Sequence, residues 1–135
     1  MPRLVAIVSL LLLGGCVAEV GFDPVGDAAS VEGAWTLGGA PAGDASCQAL
    51  GASYVRVRFF RGEDYRDHSR LVFPCAQGAF DTRPDRRVAE GSWDMALIAI
   101  DADGQELATG PTETHEAAEN MGHIVLGAAD LVAAP

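Results

Sequence analysis

The stretch Trp93 to Asp101, WDMALIAID, constrains the fold more than any other part of this chain. Read with the two-residue period of an extended strand, Trp93, Met95, Leu97 and Ala99 share one face. Ala96, Ile98 and Ile100 make the opposite face apolar as well. A strand apolar on both sides belongs in the middle of a sheet, where neither face meets water. It runs into Asp101-Ala102-Asp103-Gly104, a hairpin turn with Asp-Gly where a positive φ is tolerated, so Gln105 to Thr109 is expected to return beside it.

Other segments repeat the period. Ser53 to Phe60 places Val55, Val57 and Phe59 on one face, with Tyr54, Arg56, Arg58 and Phe60 on the other, the pattern of a half-buried strand. Arg70 to Cys75 groups Leu71, Phe73 and Cys75, and Pro74 limits its pairing. Shorter candidates are Val31–Leu37, Arg87–Glu90, His123–Leu126 and Asp130–Ala133. No long amphipathic helix appears, and the 135 residues have room for one domain. The expected fold is all-β, a small antiparallel β-sandwich of about seven short strands, immunoglobulin-like in layout. Within it, Glu90-Gly91-Ser92-Trp93-Asp94-Met95-Ala96-Leu97 followed by Asp101-Ala102-Asp103-Gly104-Gln105 resembles the Gly-x-aromatic-x-apolar strand and Asp-Gly hairpin of prealbumin-like sandwiches. Carboxypeptidase-regulatory and collagen-adhesin-B-type repeats belong to that group. Its usual aromatic is Tyr, where this chain has Trp93. The resemblance implies a scaffold or interaction module without catalytic residues.

The N-terminus reads differently. Arg3 supplies one positive charge, and Leu4 to Leu13, LVAIVSLLLL, is apolar apart from Ser9. Ten helical residues rise only about 15 Å, half the thickness of a bilayer core, so this run describes a signal peptide and not a membrane span. It ends in Leu13-Gly14-Gly15-Cys16, which resembles the bacterial lipobox. That resemblance implies cleavage before Cys16 and acylation of Cys16 on its sulfur and its new amino group. Two or more acyl chains give stable anchoring where one gives marginal residence. Val17, not Asp, follows the cysteine, which in this class of protein points to the outer membrane. The expected organisation is therefore a removed leader at 1–15, a lipidated N-terminus and flexible tether at 16–30, and one β-domain at 31–135.

With Cys16 acylated, Cys47 and Cys75 remain as an even pair in an oxidising compartment, and a disulfide is expected between them. Neither sits in a C-x-x-C pair or has a histidine at ligand spacing, so a thiolate metal site is not indicated. The net charge of −10, with seven acids and no arginine in 101–135, repels phosphate backbones and excludes nucleic acid as a partner.

Three constellations invite a chemical reading. His115-Glu116-Ala117-Ala118-Glu119, with His123 beyond, resembles the H-E-x-x-H zinc motif but has Glu119 in place of the second histidine. Gly122 also interrupts any helix before His123, so a solvated acidic loop or a single helical turn is expected there. Asp67-His68-Ser69 holds the residue types of a hydrolase triad, yet consecutive side chains diverge and cannot form the relay. Asp101, Asp103 and Glu106 suggest calcium, but the hairpin accounts for both aspartates and Gly104. Trp35 and Trp93 fit a core, which leaves Tyr65 as the exposed aromatic for a ligand or partner contact. The reading that results is a noncatalytic, lipid-anchored envelope module with no cofactor and no metal site. It is held to the membrane through Cys16 and contacts an envelope protein or glycan. A small-ligand or carbohydrate binder and a metal-dependent enzyme on His115, Glu116, Glu119 and His123 are its rivals.

Overall fold

The computed structural model describes residues 18–20, 29–60, 67–82, 88–117 and 122–133. Among these are β1 (Ala18–Val20), β2 (Ala29–Leu37), β3 (Ala40–Pro41), α1 (Asp44–Leu50), β4 (Tyr54–Phe60) and β5 (Asp67–Pro74). A 3-10 turn at Cys75–Gln77 leads to β6 (Ala79–Asp81), β7 (Gly91–Ile100), β8 (Glu106–Thr109), β9 (Glu113–Ala117), β10 (Gly122–Val125) and β11 (Ala129–Ala133). The protein is all-β, as the alternation predicts. Its strands build a curled sheet in the order β1-β5-β4-β7-β8-β11-β2-β10, with β3 and β6 also on β2, and β9 on β7.

The two best-patterned segments pair with each other. β4 lies antiparallel to β7 in a register that sets Val55 against Ala99, Val57 against Leu97 and Phe59 against Met95. Val55, Val57 and Phe59 are completely buried. Apolar cross-strand pairs of this kind are the unit of sheet stabilisation. β7 is central: β4 takes one edge, while β8 and β9 follow one another along the other. Its second face, Ala96, Ile98 and Ile100, is buried too. The β7–β8 hairpin forms where expected: the Asp101 carboxylate accepts from the N–H groups of Asp103 and Gln105, both at 2.9 Å. Gly104 takes the positive φ of 88°.

β2 departs from the expected antiparallel layout. It pairs in parallel with β10 from Ala29↔Gly122 and with β11 from Trp35↔Ala129. The offset grows from 93 to 94 residues between these pairs (122 − 29, 129 − 35), so β10 and β11 act as two halves of one strand with a single-residue bulge. The Leu126 N–H continues the ladder to the Glu32 carbonyl at 2.9 Å. β6 and β3 pair antiparallel with β2, and Val132 and Ala133 of β11 turn to pair with β8. The sheet is therefore mixed, and it exceeds seven strands because β1, β3, β6 and β9 are short pieces recruited by their neighbours' edges.

Three local expectations change. Glu113–Ala117 is a strand, not an acidic loop or helical turn, because β7 offers it a free edge from Gly91 to Met95. Arg87–Glu90 contributes a single bridge, Val88 to Ala29, among the described residues. Ala29 and Ser30, inside the 16–30 segment, are buried in β2, and Ala18–Val20 runs antiparallel to β5. One short helix, α1, was not foreseen. Ser46 receives the Gly43 N–H at 3.0 Å near its start, and Gly51 ends it with φ 82°.

Cys47 in α1 and Cys75 after β5 form a disulfide with Cα atoms 6.1 Å apart. Both are buried and join a core to which β2 and every strand from β4 to β11 contribute. Trp35 and Trp93 are core residues, as expected. Their indole N–H groups donate to the Cys75 carbonyl at 2.9 Å and to the Ala89 carbonyl at 2.8 Å.

Candidate functional site

Among the described residues, the fold gathers Ser30 and Glu32 of β2, Asp81 of β6 and His123 of β10. Their meeting follows from register. Ser30 lies beside His123 in the parallel β2–β10 pair, and Glu32 lies opposite Asp81 in the antiparallel β2–β6 pair. Val31, Phe80 and Ile124 alternate with them and are buried in the core, so the four polar residues share the other face.

Ser30 is completely buried. Its hydroxyl lies 2.6 Å from His123 Nδ1 and 3.1 Å from the Gly122 carbonyl. The other ring nitrogen, Nε2, is 2.6 Å from Glu32 Oε1. One ligand atom from each of Glu32, Asp81 and His123 lies within 4.8 Å of the others. The lining of an open groove of about 700 Å³ includes Glu32, Gln77, Phe80, Asp81 and the exposed Val125, but not His123. The order serine–imidazole–carboxylate is that of a hydrolase relay, but Ser30 offers no accessible nucleophile. Of the groups able to ligate a cation, Asp81 is exposed, while Glu32 and His123 are half-buried against one another.

No family model, curated protein or solved structure matches this chain. The site is therefore argued on its own geometry.

The residues expected to carry chemistry are dispersed. Cys16 and Tyr65 lie outside the described residues, as does Glu119. His115 sits on β9 with Nε2 2.9 Å from Glu113 Oε1, while His123 sits on β10 against β2. His115 and Glu116 thus lie on a different strand from His123, and the described residues bring only His123 of that set into a metal-capable group. Asp67, His68 and Ser69 occupy successive positions of β5. Glu106 pairs with Arg56 at 3.3 Å, and Asp101 serves its turn. Asp130, also unforeseen, ties the β2–β3 hairpin. Its carboxylate accepts from Thr36 Oγ1 at 2.7 Å and from the Gly39 N–H at 2.8 Å, which lowers its pKa from the ordinary value.

Glu32 and Asp81 carried little sequence signal. Each is a single acid in a short segment, and 91 residues separate Glu32 from its histidine.

Proposed function

We propose that this chain is a lipid-anchored protein of the bacterial cell envelope, held by acyl chains on Cys16 and acting through a noncatalytic β-domain. The observation that carries the reading is the order of parts at the N-terminus: Arg3, the apolar run Leu4–Leu13, then Gly14-Gly15-Cys16. The Cys47–Cys75 disulfide supports it, since such bonds persist in oxidising compartments outside the cytosol. Val17 favours the outer membrane. The likeness of Glu90–Gln105 to prealbumin-like strands, together with the buried Ser30 hydroxyl, supports a structural or interaction role over catalysis. The partner is an envelope protein or a glycan.

Labelled palmitate supplied to cells tests the anchor. The native protein incorporates label and partitions into detergent, and Cys16→Ser loses both. A Cys16→Ser protein that remains membrane-bound with its leader cut normally refutes the reading. Crosslinking in intact cells followed by mass spectrometry identifies the partner, and recovery of glycan fragments selects the carbohydrate-binding version.

A further inference from the structure

We propose that Glu32, Asp81 and His123 form a binding site for one divalent transition-metal ion of the zinc class. Each ligand comes from a different strand of one hydrogen-bonded sheet, so the backbone register sets their spacing before any ion arrives. Tetrahedral metal–ligand bonds of about 2.0–2.2 Å place two donors on one ion roughly 3.3–3.6 Å apart. The ligand atoms, within 4.8 Å of one another, need only a small side-chain rotation to close on a single ion.

Proton counting around Ser30 supplies an independent argument. Its hydroxyl has one hydrogen and two neighbours, the Gly122 carbonyl and His123 Nδ1. Both contacts are hydrogen bonds at once only when Nδ1 carries a hydrogen and donates to Ser30, whose own hydrogen goes to Gly122. Nε2 then faces the Glu32 carboxylate at 2.6 Å with its lone pair. At 2.6 Å the pair has room for one shared proton, and a metal ion that replaced this proton would move the two donors apart to roughly 3.4 Å. A ligating histidine whose other nitrogen donates to a buried partner is the usual outer-shell arrangement in metal sites, and Ser30 takes that part here.

The donor set selects the class of ion. One imidazole nitrogen with two carboxylate oxygens suits Zn²⁺, whereas Ca²⁺ and Mg²⁺ favour all-oxygen shells. Glu32 and Asp81 also line the open groove, from which water reaches their carboxylates. An ion there would fasten β6, β2 and β10 together, at strands far apart in sequence. The proposal does not depend on the lipid anchor.

The test uses the full chain in detergent, without a histidine tag, stripped by chelator and titrated calorimetrically with Zn²⁺ alone near neutral pH. The expected result is one Zn²⁺ per chain and a higher thermal midpoint. His123→Gln and Asp81→Asn each weaken binding at least tenfold and abolish the thermal shift, while His115→Gln binds as the native protein does. Ca²⁺ binds at least tenfold more weakly. Should either variant fail to fold, imidazole ¹⁵N resonances of the native protein decide: Zn²⁺ moves those of His123 and leaves His68 and His115 in place. Absence of stoichiometric binding, a proton alone between His123 and Glu32 throughout the titration, or a shift at His115 instead overturns the proposal. Equal affinity for Ca²⁺ overturns the role of the imidazole.

Discussion

Replacing either Cys47 or Cys75 by alanine breaks one covalent link, and its cost is calculable from the loop that the link closes. The two residues are 28 apart in sequence and enclose β4 and β5. Restricting an unfolded chain by a loop of that length is worth about 3.6 kcal/mol at 25 °C on the chain-entropy account. The folded backbone around both residues is held independently of sulfur. The Ala52 N–H donates to the Cys47 carbonyl at 2.9 Å, and the Cys75 N–H to the Ser53 carbonyl at 3.0 Å. The native fold therefore survives the substitution, and most of the loss arises in the unfolded state. Removing a sulfur that is 2–5% exposed adds about 1 kcal/mol of lost burial, so each single variant falls by about 4–5 kcal/mol. The double variant falls within about 1 kcal/mol of either single one, because both changes break the same bond. Equilibrium urea unfolding, followed by fluorescence of the buried Trp35 and Trp93 without reductant, measures this. The slope against urea steepens in the variants as the unfolded chain expands. Additive losses, or two titratable thiols in unfolded protein that has never met reductant, refute the reasoning.

Two smaller perturbations test other parts of the fold. A Cβ on Gly33 would lie 2.8 Å from Phe80 Cε1 and 3.4 Å from Leu126, so Gly33→Ala lowers stability by about 1–3 kcal/mol, read by thermal unfolding. Asp130, with its pKa lowered by Thr36 and Gly39, contributes stability above its unfolded value and loses it as pH falls through the folded one. Asp130→Asn accordingly shows a flatter stability profile than the native protein on the acid side of the ordinary carboxylate value, and an unchanged profile there contradicts the bonds described.

The strands most legible in the sequence were those whose own side chains dictate both period and burial. Val55, Val57 and Phe59 in β4 and Trp93 to Ile100 in β7 needed no knowledge of their neighbours. The same is true of the Asp101–Gly104 turn, whose hydrogen bonds are local. β9 was illegible because Glu113, Thr114, His115 and Glu116 present no apolar stripe, and its strand form comes from the edge of β7. α1 spans only Asp44–Leu50, too few residues to show helical periodicity. The parallel pairing of β2 depends on contacts more than ninety residues away, which no local pattern encodes. For that reason the sequence groups His123 with His115, close along the chain, whereas the fold groups it with Glu32 and Asp81, close in space.

The same long-range pairing bears on how the chain acquires its shape. β2 leaves the ribosome early, yet the strand that covers its parallel edge, β10 with β11, is made about ninety residues later. Closure over such a separation is slow, since the entropy of a large loop is lost before the contacts that offset it can form. β3 and β6 reach the antiparallel edge of β2 earlier, but its parallel edge has no partner strand until residues 122–133 are made. A nascent chain in this condition can be threaded through a narrow channel until residues 122–133 become available. For the same interval it is exposed to aggregation, and it depends on whatever shields an unpaired apolar strand.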